Sequence, residues 1–270
     1  MEVGQPMDRK ELVVLIPCRL NSRRLSKKAL RVLSGDKTLI QMVYENTYKA
    51  LSDLRIDSSS IFVCTDSLEI QRHLNNLNIP CLLTSEGHKN GTERISECLD
   101  RYEINAKFII DVQGDEPFVS SSMIKLVLNS LEELMDKHKS DPVIVVPHQI
   151  IGEDEASRES TVKIVTDKEG RVLYMSRYPI PYIHKPSPDL VPSSYKKHLS
   201  VIGFNRSALI YYSQSPQSHL EKLEDIELMR AIEADIHILS PYSPTSTFSI
   251  DTLEDFEMAK TILNTESSIP

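Results

Sequence analysis

Along the first half of the chain, short continuous apolar runs alternate with longer stretches whose apolar positions recur every three or four residues. The runs are Leu12–Pro17, Ser60–Cys64, Ile79–Leu83 and the segment from Phe108 to Gln113, each ending at turn-forming or polar residues. Runs of this length bounded by turn signals predict buried strands. Between them, Leu39-Ile40, Val43, Thr47 and Ala50-Leu51 fall at helical spacing, as do Leu68, Ile70, Leu74 and Leu77, and then Ile95, Cys98-Leu99 and Tyr102. A further helix is predicted from about Ser121 to Lys137. Strands alternating with amphipathic helices predict an α/β fold with a mostly parallel central sheet.

The pattern changes after Val143-Ile144-Val145-Val146. Thr161–Val165, Val172–Met175 and His198–Phe204 predict strands with little helix between them, so residues 160–215 are expected to form a smaller antiparallel insertion. Pro179, Pro181, Pro186, Pro188 and Pro192 mark an irregular stretch to Ser194, of the kind that serves as a lid. This region is expected to form one wall of a site and to offer a dimer contact. A strongly charged helix over Glu221–Glu233, a strand over Ile236–Leu239 and a closing helix over Leu253–Leu263 complete the chain, with Asp251 or Thr252 near the last N-cap. The expected organisation is a mobile head over residues 1–10 and a single domain over 11–270.

Composition narrows the function classes. Among 270 residues, 40% are hydrophobic and 26% charged, as in an ordinary globular protein. The net charge of -8 argues against a nucleic-acid partner. No apolar run approaches the ~20 residues of a membrane span. The first ten residues lack the apolar core of a secretory signal. Cys18, Cys64, Cys81 and Cys98 show no Cys-x-x-Cys spacing, which argues against zinc and fits reduced thiols in a cytoplasmic setting.

Two segments carry chemistry. Phe108–Val112 runs into Gln113-Gly114-Asp115-Glu116-Pro117, which places Asp115 and Glu116 just past the carboxyl end of a predicted parallel strand. Ligands bind at that edge of open α/β sheets. Carboxylates there suit Mg²⁺, which is held by one or two carboxylates together with substrate phosphates. The plain alternative is a solvated acidic turn. The first strand is followed directly by Cys18-Arg19-Leu20-Asn21-Ser22-Arg23-Arg24-Leu25-Ser26-Lys27-Lys28. Arginine forks and lysine ammonium groups hold phosphate, and this loop lies at the same sheet edge. A nuclear-localisation or nonspecific nucleic-acid patch is the alternative, although the net charge of -8 disfavours it. Neither the P-loop pattern nor Gly-x-Gly-x-x-Gly occurs.

Taken in order, these residues resemble the 3-deoxy-manno-octulosonate (KDO) cytidylyltransferases. The resemblance runs from about Leu12 to about Ile262. It rests on Ile16-Pro17-x-Arg19-x-x-Ser22-x-Arg24-Leu25-x-x-Lys28-x-Leu30, Cys64-Thr65-Asp66, Asn90-Gly91-Thr92-Glu93-Arg94 and Val112-Gln113-Gly114-Asp115-Glu116-Pro117. Val162–Val165, Ser176-Arg177-x-x-Ile180-Pro181, Lys197-His198-Leu199, Leu220-Glu221-x-x-Glu224-x-x-Glu227-x-x-Arg230 and Asp251-Thr252-x-Glu254-Asp255 follow.

The resemblance implies a nucleotide-diphospho-sugar-transferase-like α/β domain. It also implies a reaction in which CTP and a sugar acid give the CMP-sugar and pyrophosphate, a step of lipopolysaccharide biosynthesis. It assigns catalysis to Lys28, Asp115 and Asp251, with Mg²⁺ on the two aspartates. Arg19, Ser22, Arg24, Lys28 and Asp66 fall on the nucleotide side, and Arg94, Gln113, His198, Glu224 and Glu227 on the sugar-acid side. A homodimer is the family expectation. Three departures stand out. Ser26-Lys27-Lys28-Ala29 replaces Pro-Gly-Lys-Pro, Ile202 replaces a common Tyr, and Leu228 replaces a common Gln. If Ile202 and Leu228 faced the acceptor, another acidic acceptor such as an amino-KDO, a different ulosonic acid or a phosphonate would be favoured. The altered loop raises a further alternative, a non-catalytic nucleotide-binding relative.

Overall fold

The computed structural model describes residues 11–22, 24–139, 141–185, 195–245 and 247–266. The expected head at residues 1–10, Arg23 and the later part of the proline-rich stretch, residues 186–194, lie outside the described residues.

β1 (Leu12–Cys18) is buried along its whole length and leads through a basic loop to a small hairpin, β2 (Val32–Ser34) and β3 (Lys37–Thr38). α1 (Leu39–Asp53), β4 (Ile61–Thr65), α2 (Leu68–Asn76), β5 (Cys81–Leu83), α3 (Gly91–Arg101), β6 (Phe108–Val112), α4 (Ser121–His138) and β7 (Val143–Val145) follow in the alternation read from the sequence. Side-chain caps start these helices where the sequence changes pattern. The Ser67, Asn90 and Ser120 side chains accept from Ile70, Glu93 and Met123 backbone N–H groups respectively.

Next come β8 (His148–Ile151), α5 (Glu153–Ala156), β9 (Lys163–Thr166), β10 (Val172–Ser176) and β11 (Tyr195–His198). These four strands form an antiparallel sheet in the order β10-β9-β11-β8. β12 (Val201–Asn205), α6 (Arg206–Gln214), α7 (His219–Glu224), α8 (Met229–Glu233), β13 (His237–Leu239) and α9 (Leu253–Glu266) close the chain.

The central sheet has the order β13-β7-β12-β6-β1-β4-β5. β12 runs antiparallel to both neighbours, and the other pairs are parallel. Both faces are covered, which explains the continuous apolar runs. Val14 and Ile16 pack on one face with Leu39, Val43, Ile124, Leu131 and Phe256, and Val13 and Leu15 on the other with Ile95, Leu99, Ala208 and Met229. Among the described residues, no helix is long and apolar enough to cross a membrane.

Three local expectations change. The run His198–Phe204 is not one strand. β11 ends at His198 in the small sheet, and β12 begins at Val201 in the large one, because Leu199 turns inward to full burial between them. The charged stretch Glu221–Glu233 is not one helix either. Asp225 takes the left-handed conformation at φ 52° and ends α7, so Glu224 and Glu227 do not share a helix face. Finally, the sequence pattern gives no signal for α6, because its buried positions Ala208, Leu209 and Tyr212 span little more than one turn.

Candidate active site

The parallel strands deliver their carboxyl ends to one edge. There Arg19 follows β1, Asp66 follows β4 and Gln113 follows β6. Gly114 is required by close approach, since a Cβ would sit 2.7 Å from the Pro17 carbonyl oxygen. That contact sets Asp115 against the end of β1. The last loop of the domain comes back to the same place, where the Ile250 N–H donates to the Asp115 carbonyl at 3.0 Å.

The basic loop is anchored by Leu25 and Ala29, which are buried in the core. Between them Lys27 adopts φ 51°, and its ammonium group bridges to Glu69 on α2 at 2.7 Å. Lys27 therefore holds the left-handed conformation that a glycine would take without strain. Replacing Lys27 with Gly is expected to leave turnover intact. It should shift stability by no more than about 1 kcal/mol in either direction, because relieved strain offsets a lost exposed ion pair. Denaturant unfolding and steady-state rates check this, and a large loss of turnover would show that Lys27 itself is used.

The turn sends Lys28 inward. Its Nζ donates to Asp115 Oδ2 at 2.7 Å, to the Ile250 carbonyl at 2.7 Å and to Asp251 Oδ1 at 3.4 Å. Arg24 pairs with the other oxygen of Asp251 at 3.0 Å. Burial alone would push the Lys28 pKa down, but the charges of Asp115 and Asp251 overcome it and hold the pKa above its ordinary value. Asp251 is available for this because Thr252 takes the capping role: its Oγ1 accepts from the Asp255 N–H at 3.1 Å, and Asp255 Oδ2 accepts from the Thr252 N–H at 2.8 Å. Glu116 points the opposite way. It is fully buried, accepts from the Ser249 hydroxyl, and is pushed up to about 7 by burial.

The remaining sequence-predicted residues fall into separate sets. Arg19 is exposed and Ser22 half-buried at the mouth of the basic loop. Arg94 is buried on α3, donating to Asp66 Oδ2 at 2.7 Å and to the Thr84 hydroxyl, so these two candidates neutralise each other. Gln113 lies against the start of α3, where a Cβ on Gly91 would approach its Nε2 to 3.1 Å. Glu227 Oε2 accepts from the Thr92 N–H of that helix at 3.3 Å. Glu224 is engaged elsewhere: it accepts from the Ser176 hydroxyl at 2.9 Å and from the Arg177 N–H at 3.1 Å. His198 pairs across strands with His148, and burial pushes its pKa down to about 4, so it is a neutral imidazole at pH 7. Ile202 and Leu228 are 1% and 0% exposed within the apolar core, which removes the reason for reading them as acceptor contacts.

Some residues that shape the site were not singled out from sequence. Ser249 and the Ile250 carbonyl act through local geometry that no motif encodes. Asp111 did leave a signal, a carboxylate inside an otherwise apolar strand.

The sequence model of the cytidylyltransferase family matches residues 13–238. The chain belongs to the cytidylyltransferase family. It is a CTP-dependent nucleotidyltransferase by that membership. One curated relative, a 3-deoxy-manno-octulosonate cytidylyltransferase of Thermodesulfovibrio yellowstonii, is 35% identical over 94% of this chain and 99% of its own. Another of the same name from Chlamydia abortus is 33% identical over 95% of each. A solved CMP:2-keto-3-deoxy-manno-octonic acid synthetase in complex with CTP superposes with a TM-score of 0.81, at 29% identity over 95% of this chain and 99% of that one. A cytidylyltransferase from Leptospira borgpetersenii shares the fold at a TM-score of 0.58 and 14% identity. The basic loop, Lys28 and Asp115 therefore sit within the matched cytidylyltransferase region, and Asp251 follows it in the chain and returns to Lys28.

Proposed function

We propose that this cytidylyltransferase transfers CMP from CTP to 3-deoxy-manno-octulosonate, releasing pyrophosphate. The observation that carries the reading is the meeting of Lys28, Asp115 and Asp251 at the sheet edge where the basic loop ends. Similarity to relatives of that activity over nearly the full length supports the choice of acceptor.

Two carboxylates that share one ammonium group can also share one cation, and their oxygens are the hard donors Mg²⁺ takes. Asp115 and Asp251 would hold that ion, which supplies charge neutralisation at the α-phosphate. The protein's own groups account for the remaining work. Arg19, Arg24 and Lys28 would bind the triphosphate, and their charge would stabilise the departing pyrophosphate. Gln113, with Glu227 behind it on the α3 terminus, would orient the acceptor hydroxyl for in-line attack on the α-phosphorus. Neutral His198 would serve the acceptor as a hydrogen-bond partner and not as a charge. The reading extends to a homodimer working in the cytoplasm.

The core location of Ile202 and Leu228, together with the left-handed turn that Lys27 adopts, leaves no observation favouring another acceptor or a non-catalytic relative. Pyrophosphate release from CTP and Mg²⁺ is expected to depend on 3-deoxy-manno-octulosonate and to be absent without it. CTP binding without release would sink the proposed acceptor.

A further inference from the structure

β6 carries a carboxyl group within its buried length, between two apolar strand neighbours. Asp111 is 0% exposed, with Leu15 of β1 and Ile202 of β12 as its register partners. Burying a carboxyl group costs several kcal/mol unless its oxygens are satisfied, so such a group calls for an explanation. Asp111 has one hydrogen bond, from Gln113 Nε2 to Oδ2 at 2.7 Å. Its Oδ1 has no hydrogen-bond partner among the described residues, and Ile202 offers none. Stability therefore does not account for Asp111, but its contact with Gln113 does.

The two ends of a glutamine amide are nearly identical in shape and opposite in chemistry. A side chain at the site that turned freely would present an acceptor half the time and a donor the other half. Burial, and then the charge of Glu227, push the Asp111 pKa well above the usual carboxylate range, but Oδ2 at 2.7 Å still accepts only from the nitrogen, whether the group is ionised or carries its proton on the unpartnered Oδ1, so it selects one of the two orientations. Gly91 closes the other side, since even a methyl group there would come within 3.1 Å of Nε2 and 3.5 Å of Oε1. The amide is thus clamped between the α3 start and Asp111.

We propose that Asp111 is a positioning residue for the acceptor: by holding Gln113 Nε2, it fixes which end of the amide the sugar acid meets. This rests on the reading of Gln113 as an acceptor contact in a 3-deoxy-manno-octulosonate cytidylyltransferase. Asp111 is fully buried and its hydrogen bond goes to Gln113, so its effect reaches the acceptor through that amide.

The test is steady-state kinetics of pyrophosphate release with CTP and 3-deoxy-manno-octulosonate varied separately. Asp111→Val removes the oxygen at similar volume, and the acceptor KM is expected to rise about tenfold, the equivalent of one hydrogen bond. The CTP KM should stay within about twofold on the same accounting. Asp111→Asn keeps an accepting oxygen and should hold the acceptor KM within about threefold. Should Asp111→Val not fold, an exchange pair decides. Gln113→Glu sets two carboxyl groups against each other and should weaken the acceptor. Adding Asp111→Asn restores an amide–carboxylate hydrogen bond and should recover part of that loss. Equal rises in both KM values, or a double variant no better than Gln113→Glu alone, would overturn the proposal. A wild-type enzyme inactive with this acceptor would instead overturn the functional reading on which it depends.

Discussion

Asp115→Asn is expected to reduce turnover by about a thousandfold or more, the scale at which loss of one preorganised electrostatic group in an active site is felt. Its carboxylate is the shared partner of Lys28 at 2.7 Å and one half of the pair completed by Asp251. The amide is isosteric but uncharged. It would neither neutralise Lys28 nor hold a divalent cation with comparable strength. The fold should survive, because the structural tie at this residue is made by its backbone carbonyl, which accepts from the Ile250 N–H at 3.0 Å. The side chain is partly exposed, so its pairing with Lys28 contributes little to stability after solvent screening, about 1 kcal/mol at most. Pyrophosphate release measured beside a thermal melt separates the two effects. Turnover within about tenfold of wild type would sink the assignment, since losing one such electrostatic group costs about a hundredfold to a thousandfold. Loss of the melting transition would mean that Asp115 is structural.

Much of this site was legible because its signals are local. A strand that is apolar save for Asp111, running into Gln-Gly-Asp-Glu-Pro, specifies both the burial of β6 and the placement of Asp115 at its carboxyl edge. The same reasoning placed the basic loop after β1 and Asp66 after β4. What escaped were contacts between residues far apart in the chain. Nothing near Glu224 announces that its carboxylate will secure the turn at Ser176 and Arg177, more than forty positions earlier. Nothing in the periodicity of Glu221–Glu233 predicts the break at Asp225, because the apolar spacing continues through it and a non-glycine left-handed residue has no pattern. The split between β11 and β12 was missed for a related reason. Adjacent strands of two different sheets read as one run when a single buried leucine joins them. The replacement of Gly by Lys27 suggested a changed loop, yet Lys27 takes a left-handed angle open to glycine and is tethered to Glu69.

Arg230→Met is expected to be the most destabilising single change away from the site, by about 3–5 kcal/mol, the usual result of stripping one partner from a buried ion pair. Arg230 and Glu221 have side chains 4% and 2% exposed and meet through two bonds, at 2.7 and 2.8 Å. The same guanidinium donates to Glu93 at 2.9 Å and to the Tyr212 and Ser215 carbonyls, and it lies 4.1 Å above the Tyr212 ring. Four elements, α3, α6, α7 and α8, thus converge on one planar cation. Methionine would fill much of the space, but the carboxylate of Glu221 would remain buried without its counter-charge. Because the network also fixes Asn90 through Tyr212 at 2.8 Å, the loss should reach the α3 start where Gln113 and Glu227 lie. The acceptor KM is therefore expected to rise even at temperatures where the variant stays folded. Adding Glu221→Gln to Arg230→Met distinguishes the cause. If the penalty comes from an uncompensated charge, the double variant should recover a substantial part of the lost stability in denaturant unfolding, because a neutral amide is far cheaper to bury than a lone carboxylate. If the penalty comes instead from packing over Tyr212, the second substitution will change nothing, and the network's contribution would be assigned to shape and not to charge.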